Sequence, residues 1–240
     1  MGQKGAFMDS LIEINRVALD AIDKKLSLRP APLRHPLPAR SARTLGLVTV
    51  DGKILESERY NRVIAIQTRF PFPVTSISIF IGLRNEYDFP VFSSEVVLLG
   101  RKKRFFMVET HTPGGDGRNN DRTLFDRLVQ VKANYPALLE KQTKVRAETQ
   151  NVLNETALAA NLTNSLDGEA MKLFLDYLDV YLDTAEKAQP VTESAMEAAR
   201  QGFERYMEDE LAHGFGVKAY KMIFGKKGGE DRAKEHFFGR

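Results

Sequence analysis

Hydrophobic residues recur with a helical period at both ends of the chain. Between Asp9 and Lys25 they stand three and four residues apart, which places them on one face of an amphipathic helix. The same period returns after Asn120 and continues to the C-terminus. These later regions predict helices over residues 124–139, with an interruption near Pro136, and over 173–182, 192–215 and 217 onward.

The segment between these helical regions predicts about six β-strands. Its apolar runs are short, rich in β-branched and aromatic residues, and separated by Gly and Pro. The predicted strands cover residues 45–50, 53–56, 59–70, 74–83, 91–99 and 103–111. The Asp51–Gly52 pair predicts a tight turn between the first two strands. The other connections are short, which favours antiparallel neighbours.

A run of strands followed by a run of helices is typical of an α+β fold. The central segment 74–83 carries apolar residues on both alternations, with Ile77 and Ile79 on one face and Val74 and Phe80 on the other. A sheet that is apolar on both faces must be covered on both. We therefore predict a single-domain α/β/α sandwich, in which a central antiparallel sheet of about six strands is flanked by helices.

Proline residues set the N-terminal part of the chain apart. Residues 29–40 contain four prolines and can form neither a helix nor a central strand. This segment is either an extended arm laid across the domain or a flexible lead-in. We expect residues 1–43 to hold the N-terminal helix and this arm, and residues 44–240 to form the α/β/α domain, with one structural domain overall.

The composition excludes several classes of function. The chain of 240 residues has no cysteine, which rules out a disulfide scaffold, thiol chemistry and Cys-ligated metal sites. Its net charge of +3 is close to neutral, which argues against bulk binding to nucleic acids. No run of 18 apolar residues is present. We expect a soluble, cytoplasmic protein that does not bind membranes.

His111 ends the last predicted strand and is a candidate for chemistry. Glu109 lies on the same face of that strand, because alternate residues share a face. A titratable side chain at the end of a buried strand is a candidate proton donor, since burial tunes its pKa. The alternative is that the strand emerges into solvent there. The four histidines show no metal-ligand spacing, and the common catalytic and phosphate-binding motifs are absent.

Four consecutive basic residues, Arg101, Lys102, Lys103 and Arg104, form the turn between the last two predicted strands. One interpretation is a charged hairpin that protects the sheet from edge-to-edge pairing. The other is a docking patch for an acidic partner. Few aromatic residues stand between these cations, so nucleic acid is the less favoured partner.

Two stretches carry a family resemblance. The first begins at Tyr87 with YDFPVFSSEVV and continues through Gly100, a basic pair and Phe-Met-Val to Pro113. In the second, Tyr206 is followed nineteen residues later by Gly225 of a Phe-Gly pair, and two phenylalanines stand near the C-terminus. In these stretches the chain resembles the ferredoxin-dependent bilin reductases, as a divergent member.

The resemblance implies that a linear tetrapyrrole such as biliverdin binds between an antiparallel sheet and helices. It implies single electrons from reduced ferredoxin, which is an acidic [2Fe–2S] protein, and no flavin, nicotinamide or metal bound to the chain. The protein would supply the protons to bilin radicals, and the product would be a phytobilin-type pigment. Heme oxygenase would be the upstream supplier, and the protein would be a monomer in the cytoplasm or, in a plant or alga, the plastid.

The resemblance also places the family's functional positions on this sequence. The strand proton donor, an Asp in the family, corresponds to Thr110, and a polar group on the preceding strand corresponds to Ser78. A Glu used by one branch falls near Ile66 or Gln67. The branch-specific Asp of the C-terminal helix corresponds to Gly214. No matched position therefore keeps an acidic donor.

Three explanations for the missing donor stay open. A local bulge could place Glu109 where the family has its Asp. His111 or His213 could donate instead, because an imidazolium is a competent acid near neutral pH. Alternatively, the protein binds a bilin without the standard chemistry or acts on another tetrapyrrole. The candidate catalytic residues are Ser78, Glu109, Thr110, His111 and His213.

A bilin offers two propionates and a curved π-system, which basic and aromatic side chains would hold. The candidate substrate-binding residues are Gln67, Arg69, Phe80, Arg84, Phe106, Gly214, Lys218 and Tyr220. For the basic residues the alternative is an ordinary surface charge, and for the aromatic residues it is ordinary core packing.

Three hypotheses follow for function. The leading one is a ferredoxin-dependent reductase that acts on a biliverdin-type bilin at a vinyl, methine or A-ring diene position, with the turn at residues 101–104 docking ferredoxin. The second is a non-catalytic tetrapyrrole-binding protein on the same fold. The third is a basic interaction protein that binds an acidic protein or RNA.

Overall fold

The computed structural model describes residues 10–112, 122–143 and 155–240. Its α-helices are α1 (Ile14–Asp23), α2 (Arg122–Ala133), α3 (Pro136–Leu139), α4 (Asp167–Lys187), α5 (Glu193–His213), α6 (Phe215–Phe224) and α7 (Lys226–Phe238). Its strands are β1 (Arg29–Pro30), β2 (Ala39–Arg40), β3 (Thr49–Glu56), β4 (Tyr60–Arg69), β5 (Val74–Leu83), β6 (Val91–Leu99), β7 (Lys103–His111) and β8 (Leu158–Thr163). Pro113 and the start of the predicted first helix, Asp9, lie outside the described residues.

All strands of the described residues belong to one open antiparallel sheet. Its order is β1-β3-β4-β5-β6-β7-β8, and β2 pairs with the same strand, β3, that β1 pairs with. The strands β4 to β7 agree with the predicted segments within one residue at each end. Short connections join β3 to β7 in chain order, and each of these strands pairs antiparallel with the next one in sequence, as expected.

The predicted hairpin at Asp51–Gly52 is wrong. Both residues lie inside the continuous strand β3, and Gly52 pairs with Ile66 of β4. The backbone of Gly52 has φ +144°, and a Cβ atom there would lie 2.1 Å from the carbonyl oxygen of Ala65. The glycine therefore permits a close approach of two strands, which is the other common use of glycine in a sheet.

Two parts of the sheet were not predicted as strands. The strand β8 was missed because its sequence, LAANLT, contains Ala and Asn, which are depleted in strands. The proline-rich arm contributes β1 and β2, each two residues long, which pair along β3. Of the two interpretations of the arm, the extended one is therefore confirmed.

Helices cover both faces of the sheet, which confirms the predicted α/β/α sandwich. One core lies between the sheet and helices α1, α2 and α4, and contains Phe92, Phe106 and Phe174. The other lies between the sheet and helices α5 to α7, and contains Phe80 and Tyr220. Full burial of each such side chain contributes about 1.5–3 kcal/mol. No helix among the described residues is long and apolar enough to cross a membrane.

Candidate active site

A cavity opens between strands β5 to β7 and helices α5 to α7. The space between these walls is about 810 Å³ when the solvent at its open mouth is counted with it. The two-residue period of the strands turns Ser78 and Phe80 of β5 toward it, with Glu95 of β6 and with Glu109 and His111 of β7. The antiparallel register places Ser78 opposite Glu95, so the polar side chains form one wall.

Glu109 and His111 form a buried pair on this wall. His111 Nε2 lies 2.6 Å from Glu109 Oε1, and the two side chains are 4% and 5% exposed, respectively. The second carboxylate oxygen of Glu109, Oε2, is buried and has no hydrogen-bond partner among the described residues. The strand therefore does not emerge into solvent at His111, and the pair has the geometry in which an imidazole and a carboxylate exchange a proton.

Glu95 is a second titratable group on the sheet wall. It accepts hydrogen bonds from the hydroxyl of Ser76 and, at 2.6 Å, from the hydroxyl of Ser78. Burial raises the pKa of Glu95 to about 7, although both serine hydrogen bonds oppose that rise. The carboxyl group is thus able to hold or release a proton near neutral pH.

Helix α5 supplies the facing wall. The ring of Tyr206 lies against His111, with the ring centroids 5.5 Å apart. Glu210 follows one turn later and also lines the cavity. Burial raises the pKa of Glu210, and Glu109 adds to the rise, whereas His111 opposes it. Burial likewise raises the pKa of Tyr206 well above its ordinary value, so its hydroxyl stays protonated.

Aromatic residues line the cavity both at its mouth and inside it. Phe215, the first residue of α6, lines the cavity and is 58% exposed, which places it at the opening. Phe237 and Phe238, at the end of α7, line the cavity from inside and are buried. Phe238 also packs edge-on against Phe80 of the sheet, with ring centroids 6.3 Å apart. These rings give the cavity the apolar surface that a flat conjugated ligand requires.

Four predicted site residues lie on the opposite face of the sheet. Thr110 hydrogen-bonds to Thr156 through their hydroxyl oxygens, 2.9 Å apart. Phe106 is fully buried in the core formed with α1, α2 and α4. Gln67 pairs with Ile77 across the strands, and the exposed Arg69 donates to its side chain. Thr110 and Phe106 differ by an odd number of residues from Glu109 and His111, so the pleat turns them away from the cavity. Gln67 and Arg69 pair with residues of β5 that alternate with the cavity-lining Ser78.

The structure does not bring three further binding candidates to the cavity. Arg84 donates two hydrogen bonds to the carbonyl oxygen of Ser57. Lys218 is exposed on α6 and does not line the cavity. Tyr220 is a core residue whose hydroxyl lies 3.0 Å from Nδ1 of His236. Of the predicted binding residues, Phe80 and Gly214 do line the cavity.

Among the predicted catalytic residues, His213 lies apart from the cavity lining. It is exposed near the end of α5 and lies 3.1 Å from Asp209 on the same helix. The structure therefore brings Ser78, Glu109 and His111 together at the cavity and leaves His213 outside it.

The basic turn divides into two kinds of residue. Arg101, Lys102 and Lys103 are exposed, whereas Arg104 is buried. Arg104 forms an ion pair with Asp167, 3.2 Å away, at the start of α4. It is therefore a structural cation and cannot dock a partner. The turn lies at the end of β7 opposite His111, about 27 Å along the strand.

Sequence reasoning assigned no role to Glu95, Tyr206 or Glu210. Glu95 and Tyr206 stand within the two stretches that carry the family resemblance, and their position there was the available signal. Glu210 sits in an acidic stretch of a helix, MEDELAH, where nothing in the sequence separates a cavity-facing carboxylate from solvated ones. Its spacing of four residues from Tyr206, which puts both on one helix face, was the only indication.

The fold and the cavity together define a class of protein: an α/β/α ligand-binding protein whose ligand would lie between titratable side chains of a sheet and a helix. The sequence identifies the family within this class. Residues 17–238 match the family described as ferredoxin-dependent bilin reductase, and the chain belongs to that family of oxidoreductases. The family resemblance noted in the sequence is thereby confirmed, and bilin reduction is the activity of the family.

A solved structure shows the same fold. The crystal structure of phytochromobilin synthase from tomato, in complex with biliverdin, superposes with a TM-score of 0.82 at 14% sequence identity. The match covers 96% of this chain and 83% of the tomato chain. No similar sequence is found among curated proteins.

Proposed function

We propose that the protein reduces a biliverdin-type linear tetrapyrrole with single electrons from a [2Fe–2S] ferredoxin and with protons from its own side chains. The proposal is carried by the buried Glu109–His111 pair, which lines the cavity in a chain of the bilin reductase family. The protein would hold no redox cofactor of its own.

The chemistry requires both electrons and protons. Reduction of one carbon–carbon double bond breaks a π bond and forms two C–H bonds, which consumes two electrons and two protons. Ferredoxin delivers the electrons one at a time, so the substrate passes through a radical. Glu109 and His111 supply a proton to that radical, because their hydrogen bond lets one group replenish the other. The pair then regains its proton from solvent.

The walls of the cavity suit a bilin. Phe80, Phe215 and Phe238 offer flat apolar contacts to its conjugated rings. The carboxylate groups of the sheet wall can accept hydrogen bonds from its pyrrole N–H groups. Among the described residues no Lys or Arg lines the cavity, so we expect the two propionates to lie at the mouth, toward solvent.

The partners follow from the same proposal. Arg101, Lys102 and Lys103 form an exposed basic patch that suits an acidic ferredoxin. The substrate would come from a reaction that opens a heme ring, as heme oxygenase does, and the product would be a phytobilin-type pigment.

An anaerobic absorbance time course tests the proposal. Purified protein is mixed with biliverdin, and ferredoxin with a reducing system is then added. We expect a red-shifted complex that converts to a blue-shifted product, whose chromatographic retention identifies the reduced bond. Binding without conversion would favour a non-catalytic bilin-binding protein. An unchanged spectrum on mixing would refute both tetrapyrrole functions.

A further inference from the structure

The corner between α5 and α6 contains a carboxyl group to which the proposed reaction has so far given no role. Glu210 lies in the last turn of α5 and lines the cavity on the helix side, facing Glu109 and His111 of the sheet wall. We propose that Glu210 is a second proton donor, which acts on the bound bilin from the helix side. This inference rests on the proposed function and adds a catalytic residue to it.

Gly214 makes room for this carboxyl group. A Cβ atom at Gly214 would lie 2.3 Å from Oε2 of Glu210 and 2.5 Å from the carbonyl oxygen of Glu210. Both distances are far below a normal van der Waals contact, so the Glu210 side chain occupies the space where any other residue would begin its own. The glycine at this corner is therefore what allows the Glu210 carboxyl group to take this position.

The charged groups around Glu210 suit a donor that is reloaded from solvent. Glu109 and His111 face it from β7, and Asp209 and His213 stand beside it on α5. Burial and the two carboxylates favour its protonated form, whereas the two histidines favour its ionised form. Asp209 and His213 are more than 40% exposed and lie 3.1 Å apart, so a proton from water can reach this end of the helix.

The position of Glu210 matches a need of the chemistry. Two protons must reach two different carbons of the reduced double bond. Glu109 and His111 deliver one from the sheet wall, and Glu210 delivers the other from the helix wall. Each transfer breaks an O–H or N–H bond of the donor and forms a C–H bond, while ferredoxin supplies both electrons. Glu210 is left as a carboxylate and takes a new proton from water.

Glu210→Gln tests the inference, with Glu208→Gln as the matched control because Glu208 is exposed on the same helix. Both variants and the wild type are bound to biliverdin and reduced by ferredoxin in a single turnover. We expect E210Q to bind biliverdin within about threefold of wild type and to form the first radical. Loss of a positioned acid should then slow radical decay at least about 100-fold or change the product isomer. E208Q should match wild type.

The pH dependence gives a second readout. A donor must be protonated, so the wild-type rate of this step should fall as the pH rises through the raised pKa of Glu210, and E210Q should lack that fall. Equal rates, products and pH profiles in E210Q and wild type would overturn the inference. If E210Q does not fold, E210D decides in its place: an unchanged rate overturns the inference, and a slowed step with the same product supports it. Failure of wild type itself to reduce biliverdin would count against the proposed function instead.

Discussion

Substitution of Arg104 tests whether this residue of the basic turn stabilises the fold or docks a partner. Its guanidinium donates to Asp167 Oδ1 at 3.2 Å and to Oδ2 at 3.5 Å, and to the carbonyl oxygens of Gly100 and Arg101 at 3.3 Å each. Both side chains of the ion pair are at most 9% exposed. Arg104→Ala would leave the Asp167 carboxylate buried with a long hydrogen bond from Ser10, at 3.4 Å.

The expected loss of stability is large. Removing one partner of a buried ion pair costs about 3–5 kcal/mol, because the other charge stays buried. In a chain of this size each kcal/mol lowers Tm by about 2–4 °C, so Arg104→Ala should lower Tm by about 6–20 °C. Arg101→Ala is the matched control, since its side chain is exposed. It should change the free energy of unfolding by no more than about 0.5 kcal/mol.

Urea unfolding followed by circular dichroism measures both variants. An Arg104→Ala protein within about 1 kcal/mol of Arg101→Ala would refute the reasoning, because the loss of one partner leaves an uncompensated buried charge and should cost more than that. The triple variant R101Q/K102Q/K103Q completes the comparison. It should keep the wild-type stability and the affinity for biliverdin, and raise the KM for ferredoxin.

Three further predictions concern individual side chains. Glu109→Gln should bind biliverdin and slow its reduction at least about 100-fold in single-turnover assays; a wild-type rate would remove Glu109 from the mechanism. The pKa of Glu95 is about 7 in the folded protein, whereas its ordinary value is 4.5. The protonated carboxyl group therefore stabilises the folded state fully below pH 4.5, and this contribution is lost as the pH rises through 7. The free energy of unfolding of Glu95→Gln relative to wild type should therefore rise by about 2.5 kcal/mol between pH 5 and pH 8, and a flat difference would contradict this. Thr110→Val should lose about 1 kcal/mol of stability with its hydrogen bond to Thr156 and should reduce biliverdin at the wild-type rate; slower reduction would show that position 110 contributes to the site.

The strands could be predicted because short runs of β-branched and aromatic residues between Gly and Pro are a local property of the sequence. Segments 74–83, 91–99 and 103–111 are such runs, and the structure has strands with those bounds. The prediction failed where a tertiary contact sets the role of a residue. Gly52 has the local signature of a turn, yet it serves the close approach of Ala65 on the neighbouring strand.

The candidate site was predicted in part for the same reason. Placing Glu109 and His111 on one face needed the strand period alone. Thr110 was assigned to the site by comparison with a family motif, but the pleat turns its side chain to the other face of the sheet. Glu210 was missed, because its place in the cavity depends on a corner formed by Gly214 and on strand residues about a hundred positions away in the sequence.

One face of strand β7 lines the cavity and the other packs in a core, and both depend on the same register of the strand. Its odd-numbered residues Glu109 and His111 face the cavity, and its even-numbered residues Phe106 and Val108 are buried in the opposite core. A one-residue insertion or deletion within the strand would exchange the two sets, carrying ionisable groups into an apolar core and phenylalanine into the cavity. Loss of activity by such a slip would therefore be accompanied by loss of the fold. The strand can therefore take substitutions on either face, but the core behind it does not tolerate a change in its length.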